Sequence, residues 1–235
     1  MRQITGDVPK SLLQVQGYRF IDLLLTQLRQ AGCSRVVLCT GHGADMFVSE
    51  LGHSWNGMEL VYSREDTPLG TGGALALAKD QIQDDSAFVL NGDTFCACSF
   101  VSMRRVHVGT TSPHMTMAVL VNDYDYGHVF LTDVGLAQLV SHFGRIGSSG
   151  INVGIYIIDR DLIESIPNGE FVSLENSVFP RWIESGQIHA YTLYGFVNLL
   201  DVGKPGPYLD ACEYLREKSS TFGCGSLDWV DSAYR

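Results

Sequence analysis

The stretch "RVVLCTGHGADMFVSELGHSWNGMELVYSRE", Arg35 to Glu65, decides the fold class. Its first six residues are a short, nearly continuous apolar run of the kind that buried parallel strands use. "GADMFVSEL" then reads as a helix, and "MELVYSRE" as the next strand. Upstream, "FIDLLLTQLR" places apolar residues at Ile21, Leu24, Leu25 and Leu28. That spacing predicts a helix with one buried stripe, stopped by Ala31-Gly32. Downstream, "TGGALALAKDQI" reads as a helix opened by glycines and "SAFVLNGD" as a strand. Strand and helix thus alternate through the first hundred residues, which predicts a parallel α/β sheet with right-handed crossovers.

Beyond that segment, "HMTMAVLV" and "INVGIYIID" read as strands and "LENSVFPRWIESG" as a helix that Pro180 kinks or interrupts. "IHAYTLYGFVNLLDVG" reads as two strands, and "GPYLDACEYLREKS" as a helix. Tyr191, Tyr194 and Phe196 fit a core better than a stacking platform. No internal repeat, low-complexity segment or flexible linker divides the chain, so residues 1–235 are expected to form one domain.

With 45% hydrophobic and 18% charged residues, the chain can bury an extensive core and is not a disordered tail. Its net charge of −10 argues against broad binding to nucleic acid or anionic membranes. No run approaches the ~18 apolar residues of a membrane span. "MRQITGDVPK" has no apolar core of a secretory signal, and six cysteines without zinc or CxxC spacing read as reduced thiols. These features point to the cytoplasm.

The chemistry centres on "FVLNGDTF", Phe88 to Phe95, where an apolar run ends in Asn-Gly and then a carboxylate, Asp93. In open α/β sheets ligands bind beyond the carboxyl ends of the strands. Gly92 leaves room there for a close approach. Asp201, in "FVNLLDVG", is a second strand-end carboxylate. Two such groups suit a hard cation such as Mg²⁺, although a turn or helix cap explains either aspartate alone. "TPLGTGGAL", Thr67 to Leu75, offers backbone N–H groups at a helix start, or is an ordinary glycine turn. Lys10 in "DVPKSLL" is a point charge for phosphate or a solvated surface lysine.

Taken in order, "TGDVPKSLLQVQGYRFIDLLLTQLRQAG", "REDTPLGTGGAL", "VLNGDT", "INVGIYII", "SLENSVFP" and "DVGKPGPY" resemble the sugar-phosphate nucleotidylyltransferases. Within that family they are most similar to bacterial heptose-1-phosphate and mannose-1-phosphate guanylyltransferases. The resemblance implies a Rossmann-like nucleotidyltransferase fold: a mostly parallel mixed sheet flanked by helices, in a single domain. It implies Asp93 and Asp201 as Mg²⁺ ligands, with Lys10 and Asp93 as the catalytic pair. It assigns Gly70, Thr71 and Gly72 to the nucleotide, and Gly127, Arg145, Asn152 and Glu175 to the sugar phosphate. Asn152, at the start of a strand, equally reads as a structural turn residue. The implied substrates are a nucleoside triphosphate and a sugar 1-phosphate, and a homo-oligomer is compatible with the pattern.

Two departures stand out. The family pattern opens with a strand and a glycine-rich "GGxGTR" loop that wraps the triphosphate. Counting back from Lys10, Arg2-Gln3-Ile4-Thr5 matches the residues just after that loop, so the sequence reads as shortened at its start. Loss of that first, central strand would expose backbone groups on both its neighbours. In "SHFGRIGSSG", Gly144-Arg145 stands where relatives carry Glu-Lys, and Arg145 keeps a phosphate-binding charge. Two other readings stay open. One is a non-catalytic sugar-phosphate module without a triphosphate cradle. The other is a glycosyltransferase using Asp123-Tyr124-Asp125.

Overall fold

The computed structural model describes residues 7–15, 17–110, 114–121, 129–134, 137–143, 150–194, 198–202, 212–213 and 216, with only the backbone described over 132–143. In chain order the elements are β1 (Gln14–Val15), β2 (Tyr18–Arg19), α1 (Phe20–Gln30), β3 (Arg35–Thr40), α2 (Ala44–Leu51), β4 (Ser54–Trp55), β5 (Met58–Arg64) and α3 (Gly70–Ala78). They continue through β6 (Ser86–Leu90), β7 (Thr94–Cys96), α4 (Phe100–Gly109), β8 (Met115–Val121), β9 (Val129–Val134), β10 (Ala137–Phe143) and β11 (Gly150–Asp159). The last are α5 (Arg160–Glu164), α6 (Phe179–Glu184), β12 (Ile188–Leu193) and β13 (Leu199–Asp201). The expected C-terminal helix falls mostly outside the described residues.

Six strands run β6-β11-β8-β12-β10-β9 across the largest sheet, and β3-β5-β4 form a second one. The sheets are mixed, with helices packed on them. β3 pairs with β5 and β12 with β8 in parallel, while β11 pairs antiparallel with both β6 and β8. Most ladders among the described residues are antiparallel, which departs from the expected majority of parallel pairs. The physical reason is β11, a long strand that enters between β6 and β8 in the opposite direction.

The period of two along β8 and β11 sorts their side chains into two cores. Met115, Met117, Val119, Tyr156 and Ile158 join one cluster with Leu75 of α3, Leu162 of α5 and Phe179 of α6. Ala118, Ile155 and Ile157 face the other, with Ile21 and Leu25 of α1, Phe47 of α2 and Phe100 of α4. Helix α1 exceeds its expected single stripe. Phe20, Leu23 and Leu24 fill a third cluster with Val15, Phe95 and Leu200 on another face. Its start is held by buried Asp22, which accepts from the Arg19 backbone N–H at 3.0 Å, Arg19 Nη2 at 2.9 Å and Trp55 Nε1 at 3.0 Å. Those donors offset the cost of burying the carboxylate.

Strands β3 and β6 border a cleft of about 770 Å³, lined along both strands by residues that include Val36, Leu38, Phe88 and Leu90. Among the described residues each is paired on one edge only, β3 to β5 and β6 to β11. Arg35–Leu38 of β3 and all of β6 are correspondingly half-buried, whereas Met115, Thr116, Met117, Ala118 and Val119 of β8 are fully buried. Both strands thus turn toward the cleft an edge that no other described strand pairs.

The turn of 3₁₀-helix at Lys10–Leu12 lies over the carboxyl ends of these strands. Pro9 Cγ lies 2.9 Å from where a Cβ on Gly43 would be, in the loop after β3. Ser11 Oγ lies 2.9 Å from the Cβ position of Gly92, in the loop after β6.

Candidate functional site

Asp93 follows the carboxyl end of β6, as the sequence predicts. Lys10 Nζ stands 3.4 Å from Asp93 Oδ2, with the two side chains 43% and 37% exposed. At that exposure an ion pair contributes at most about 1 kcal/mol, so Lys10 is free to leave Asp93 for a stronger anion. Gly92 makes room for Ser11 here, so its missing side chain serves the lysine-bearing turn directly.

Asp201 closes β13, which pairs antiparallel with β7 so that Asp201 faces Thr94. The Val202 N–H donates to the Asp93 carbonyl at 2.9 Å. Sequence positions more than a hundred residues apart are thus tied backbone to backbone, with a carboxylate on each. A pair of hard oxygen donors fits Mg²⁺, which is usually held by one or two carboxylates with substrate phosphates completing its shell. No group of three or more His, Cys, Asp or Glu side chains poised for a metal occurs among the described residues.

The glycine-rich segment behaves differently from its expected role. Gly72 N–H and Gly73 N–H both donate to the Val172 carbonyl, at 2.8 and 3.2 Å, and Val172 N–H donates to Leu69 O at 2.8 Å. A Cβ on Gly70 would lie 2.6 Å from Val172 O, one on Gly72 2.8 Å from Val172 Cγ1, and one on Gly73 2.7 Å from Glu170 O. The glycines therefore admit the Glu170–Val172 segment. A protein carbonyl occupies the helix start where the sequence suggests free N–H groups. Gly70, at φ +73°, makes the left-handed turn that enters α3.

Side chains follow the same seam. Thr71 Oγ1 donates to Glu175 Oε2 at 3.1 Å and accepts from Leu174 N–H at 2.9 Å. Ser173 Oγ donates to Glu175 Oε2 at 3.2 Å. Thr71 and Glu175, assigned to different substrates by the family pattern, are direct partners here. Glu65 adds a further support, accepting from Leu69 N–H at 3.0 Å.

Asn152 is used structurally. Its Nδ2 donates to the Tyr156 hydroxyl at 2.8 Å and its Oδ1 accepts from Gly154 N–H at 3.0 Å, where the β8–β11 register shifts. Burial pushes the Tyr156 hydroxyl above its ordinary range, the Asn152 amide partly offsets this, and the Glu175 charge adds to it. Gly154, at φ +71°, lets Asn91 Nδ2 come within 2.5 Å of its absent Cβ, which locks the loop just ahead of Asp93.

The structure therefore brings Lys10, Asp93 and Asp201 together at one seam and Gly70, Thr71, Gly72 and Glu175 at another. Gly127 and Arg145, together with Asp123 and Asp125, lie outside the described residues. Tyr194 is 67% exposed, which overturns its reading as core, because it sits just past the end of β12. Sequence reasoning missed Ser11, Glu65, Asn91 and Val172. Their signal was the set of glycines at 41, 70, 72, 92 and 154, each marking where another segment comes close.

Comparison with known proteins adds the rest. The family profile described as nucleotidyl transferase matches residues 1–218. Mannose-1-phosphate guanylyltransferase of Mycobacterium tuberculosis is 29% identical over 215 residues, covering 89% of this chain and 59% of that protein. The beta catalytic subunit of mannose-1-phosphate guanylyltransferase from Drosophila melanogaster is 31% identical over 230 residues, 94% of this chain and 62% of its own length. The chain thus spans about three fifths of these curated relatives. Crystal structures of HddC from Yersinia pseudotuberculosis are 26% identical. The first aligns with TM-score 0.71 over 89% of this chain and 91% of HddC. A second, complexed with GMP-PN, aligns with TM-score 0.70 over 92% and 93%.

Proposed function

The chain belongs to the nucleotidyl transferase family, and from that premise we propose that it transfers a nucleoside monophosphate from a nucleoside triphosphate to a sugar 1-phosphate. GTP is the donor and a heptose or hexose 1-phosphate the acceptor, yielding an NDP-sugar and pyrophosphate. The observation that carries the reading is the Lys10–Asp93 pair at the carboxyl end of β6, backed by Asp201 on the adjoining β13. The names of the guanylyltransferase relatives and of the GMP-PN complex support the choice of base.

A phosphate oxygen of the sugar 1-phosphate attacks the α-phosphorus as the bond to the bridging oxygen breaks, and that electron pair leaves with pyrophosphate. The protein positions the two phosphates in line and offsets their charge. Lys10 supplies a mobile cation, released from a weak surface pair as phosphate arrives. Asp93 and Asp201 would hold Mg²⁺, which when bound contributes charge neutralisation at the phosphates. Gly70, Thr71 and Gly72 line the nucleotide side. Glu175, with the Arg145 and Gly127 carried over from the family pattern, meets the sugar phosphate. Asn152 acts through Tyr156 and Gly154 in shaping that wall.

Small molecules are the partners in this reading, and the net charge of −10 weighs against nucleic acid. Among the described residues no helix is long and apolar enough to cross a membrane. We place the reaction in the cytoplasm, where nucleoside triphosphates are supplied.

Incubation with Mg²⁺, each nucleoside triphosphate in turn and a panel of sugar 1-phosphates tests the proposal. A GDP-sugar and stoichiometric pyrophosphate are expected. Tight sugar-phosphate binding without pyrophosphate from any pair would contradict it and favour a non-catalytic binding module.

A further inference from the structure

We propose that Phe171 is the stacking surface for the nucleobase, an inference that rests on the nucleotidyl-transfer reading of the site. Large aromatic side chains normally lose most of their surface on folding. Phe171 keeps 70% of its surface exposed. Its backbone is nonetheless fixed, because the next residue, Val172, is hydrogen-bonded on both sides to the glycine turn: N–H to Leu69 O at 2.8 Å, and O from Gly72 N–H at 2.8 Å. An apolar ring held in water by a rigid backbone has a standing tendency to accept a flat apolar partner.

Its location sets which partner. Phe171 Cε2 lies 3.2 Å from the Cβ position of Gly70, so the ring borders the residue that enters α3 and has no side chain to cover it. Four residues on, Glu175 is bonded to Thr71 at 3.1 Å, one residue past Gly70. The ring therefore flanks the nucleotide side of the proposed site. The Gly72 and Gly73 N–H groups at the helix start are already taken by the Val172 carbonyl, which disfavours phosphate there and leaves a flat, uncharged group as the part of the nucleotide suited to this corner.

Stacking on an aromatic side chain is sequence-tolerant, so Phe171 contributes affinity for any base, and edge contacts would supply the choice between bases. Deleting the ring should then weaken nucleotide binding by about ten-fold. Because the ring is exposed, Phe171→Ala should fold as the wild type does.

The test is equilibrium binding of GTP, of inorganic tripolyphosphate and of mannose 1-phosphate to the wild type, Phe171→Ala and Phe171→Trp. Phe171→Ala should lose about ten-fold in GTP affinity, with tripolyphosphate and mannose 1-phosphate unchanged. Phe171→Trp should retain GTP affinity and show fluorescence quenching by GTP beyond that of the wild type. Equal GTP affinity in the wild type and Phe171→Ala would overturn this inference alone. A wild type that binds no nucleoside triphosphate would overturn the proposed function and this inference with it. Parallel loss for tripolyphosphate would also refute it, by showing that the base is not what Phe171 meets.

Discussion

Gly70→Ala offers the sharpest test of how the α3 seam is built. The substitution imposes two separate costs. At φ +73° an alanine occupies the left-handed region, which costs about 1–2 kcal/mol. The new Cβ also meets the Val172 carbonyl oxygen at 2.6 Å, a backbone atom that cannot swing away. Overpacking of that kind typically adds about 1–3 kcal/mol. Two controls separate the contributions. Gly169→Ala has φ +83° but nothing within 4 Å of its Cβ, so only the backbone cost remains. Gly72→Ala has no positive φ and meets Val172 Cγ1 at 2.8 Å, so it carries mainly a packing cost that the side chain can partly relieve. Urea unfolding monitored by circular dichroism should rank the variants Gly70→Ala least stable, with a loss of about 2–5 kcal/mol. If Gly70→Ala lost no more than Gly169→Ala, the seam would not be packed as described, and the Val172 carbonyl would not be the acceptor at the start of α3.

Two further outcomes follow from the sheet and the histidines. Amides of β3 and β6 that face the cleft should exchange with deuterium while those of β8 and β11 are still protected, because only one edge of each cleft strand is paired among the described residues. Equal protection across all four strands would contradict the open cleft. His189 is held below the ordinary histidine pKa, first by burial and then by the charges of His107 and His114. Protons therefore bind the unfolded chain more readily, so stability is intact above about pH 6.5 and declines as pH falls through the window beneath it. His189→Gln should flatten that decline in urea titrations between pH 7 and about 5, and an unchanged slope would remove His189 as its source.

Strands were more readable than ligand loops, for a physical reason. The apolar run Arg35–Thr40 matches β3 residue for residue, and "INVGIYIID" lies within β11, because buried strands declare themselves through local composition. Pro180 was legible as an interruption. The structure resolves it into a π-helical turn at Leu174–Val178 and a new helix with proline in its first turn. β9 and β10 went unseen: "VFLTDV" and "AQLVSHF" mix polar and apolar residues without a long apolar run. Helix α4 was missed because Phe100, Met103 and His107 are its only buried residues.

The carboxylates of the site were visible as strand ends, but their joining through Val202 and Asp93 was not, since that bond links distant sequence. The glycine run misled for the same reason. Gly70, Gly72 and Gly73 face residues 170–172, a hundred positions away, and no local pattern distinguishes room for a ligand from room for another part of the chain.

The most direct test of the central claim is Mg²⁺-dependent pyrophosphate release from GTP and mannose 1-phosphate by the wild type and by Asp93→Asn, with Asp201→Asn alongside. Both variants keep the side-chain volume and lose the charge that would hold the cation. The account predicts release by the wild type and a loss of about a hundred-fold or more in Asp93→Asn, with folding unchanged. Near wild-type release by Asp93→Asn would remove Asp93 from the catalytic site and contradict the account.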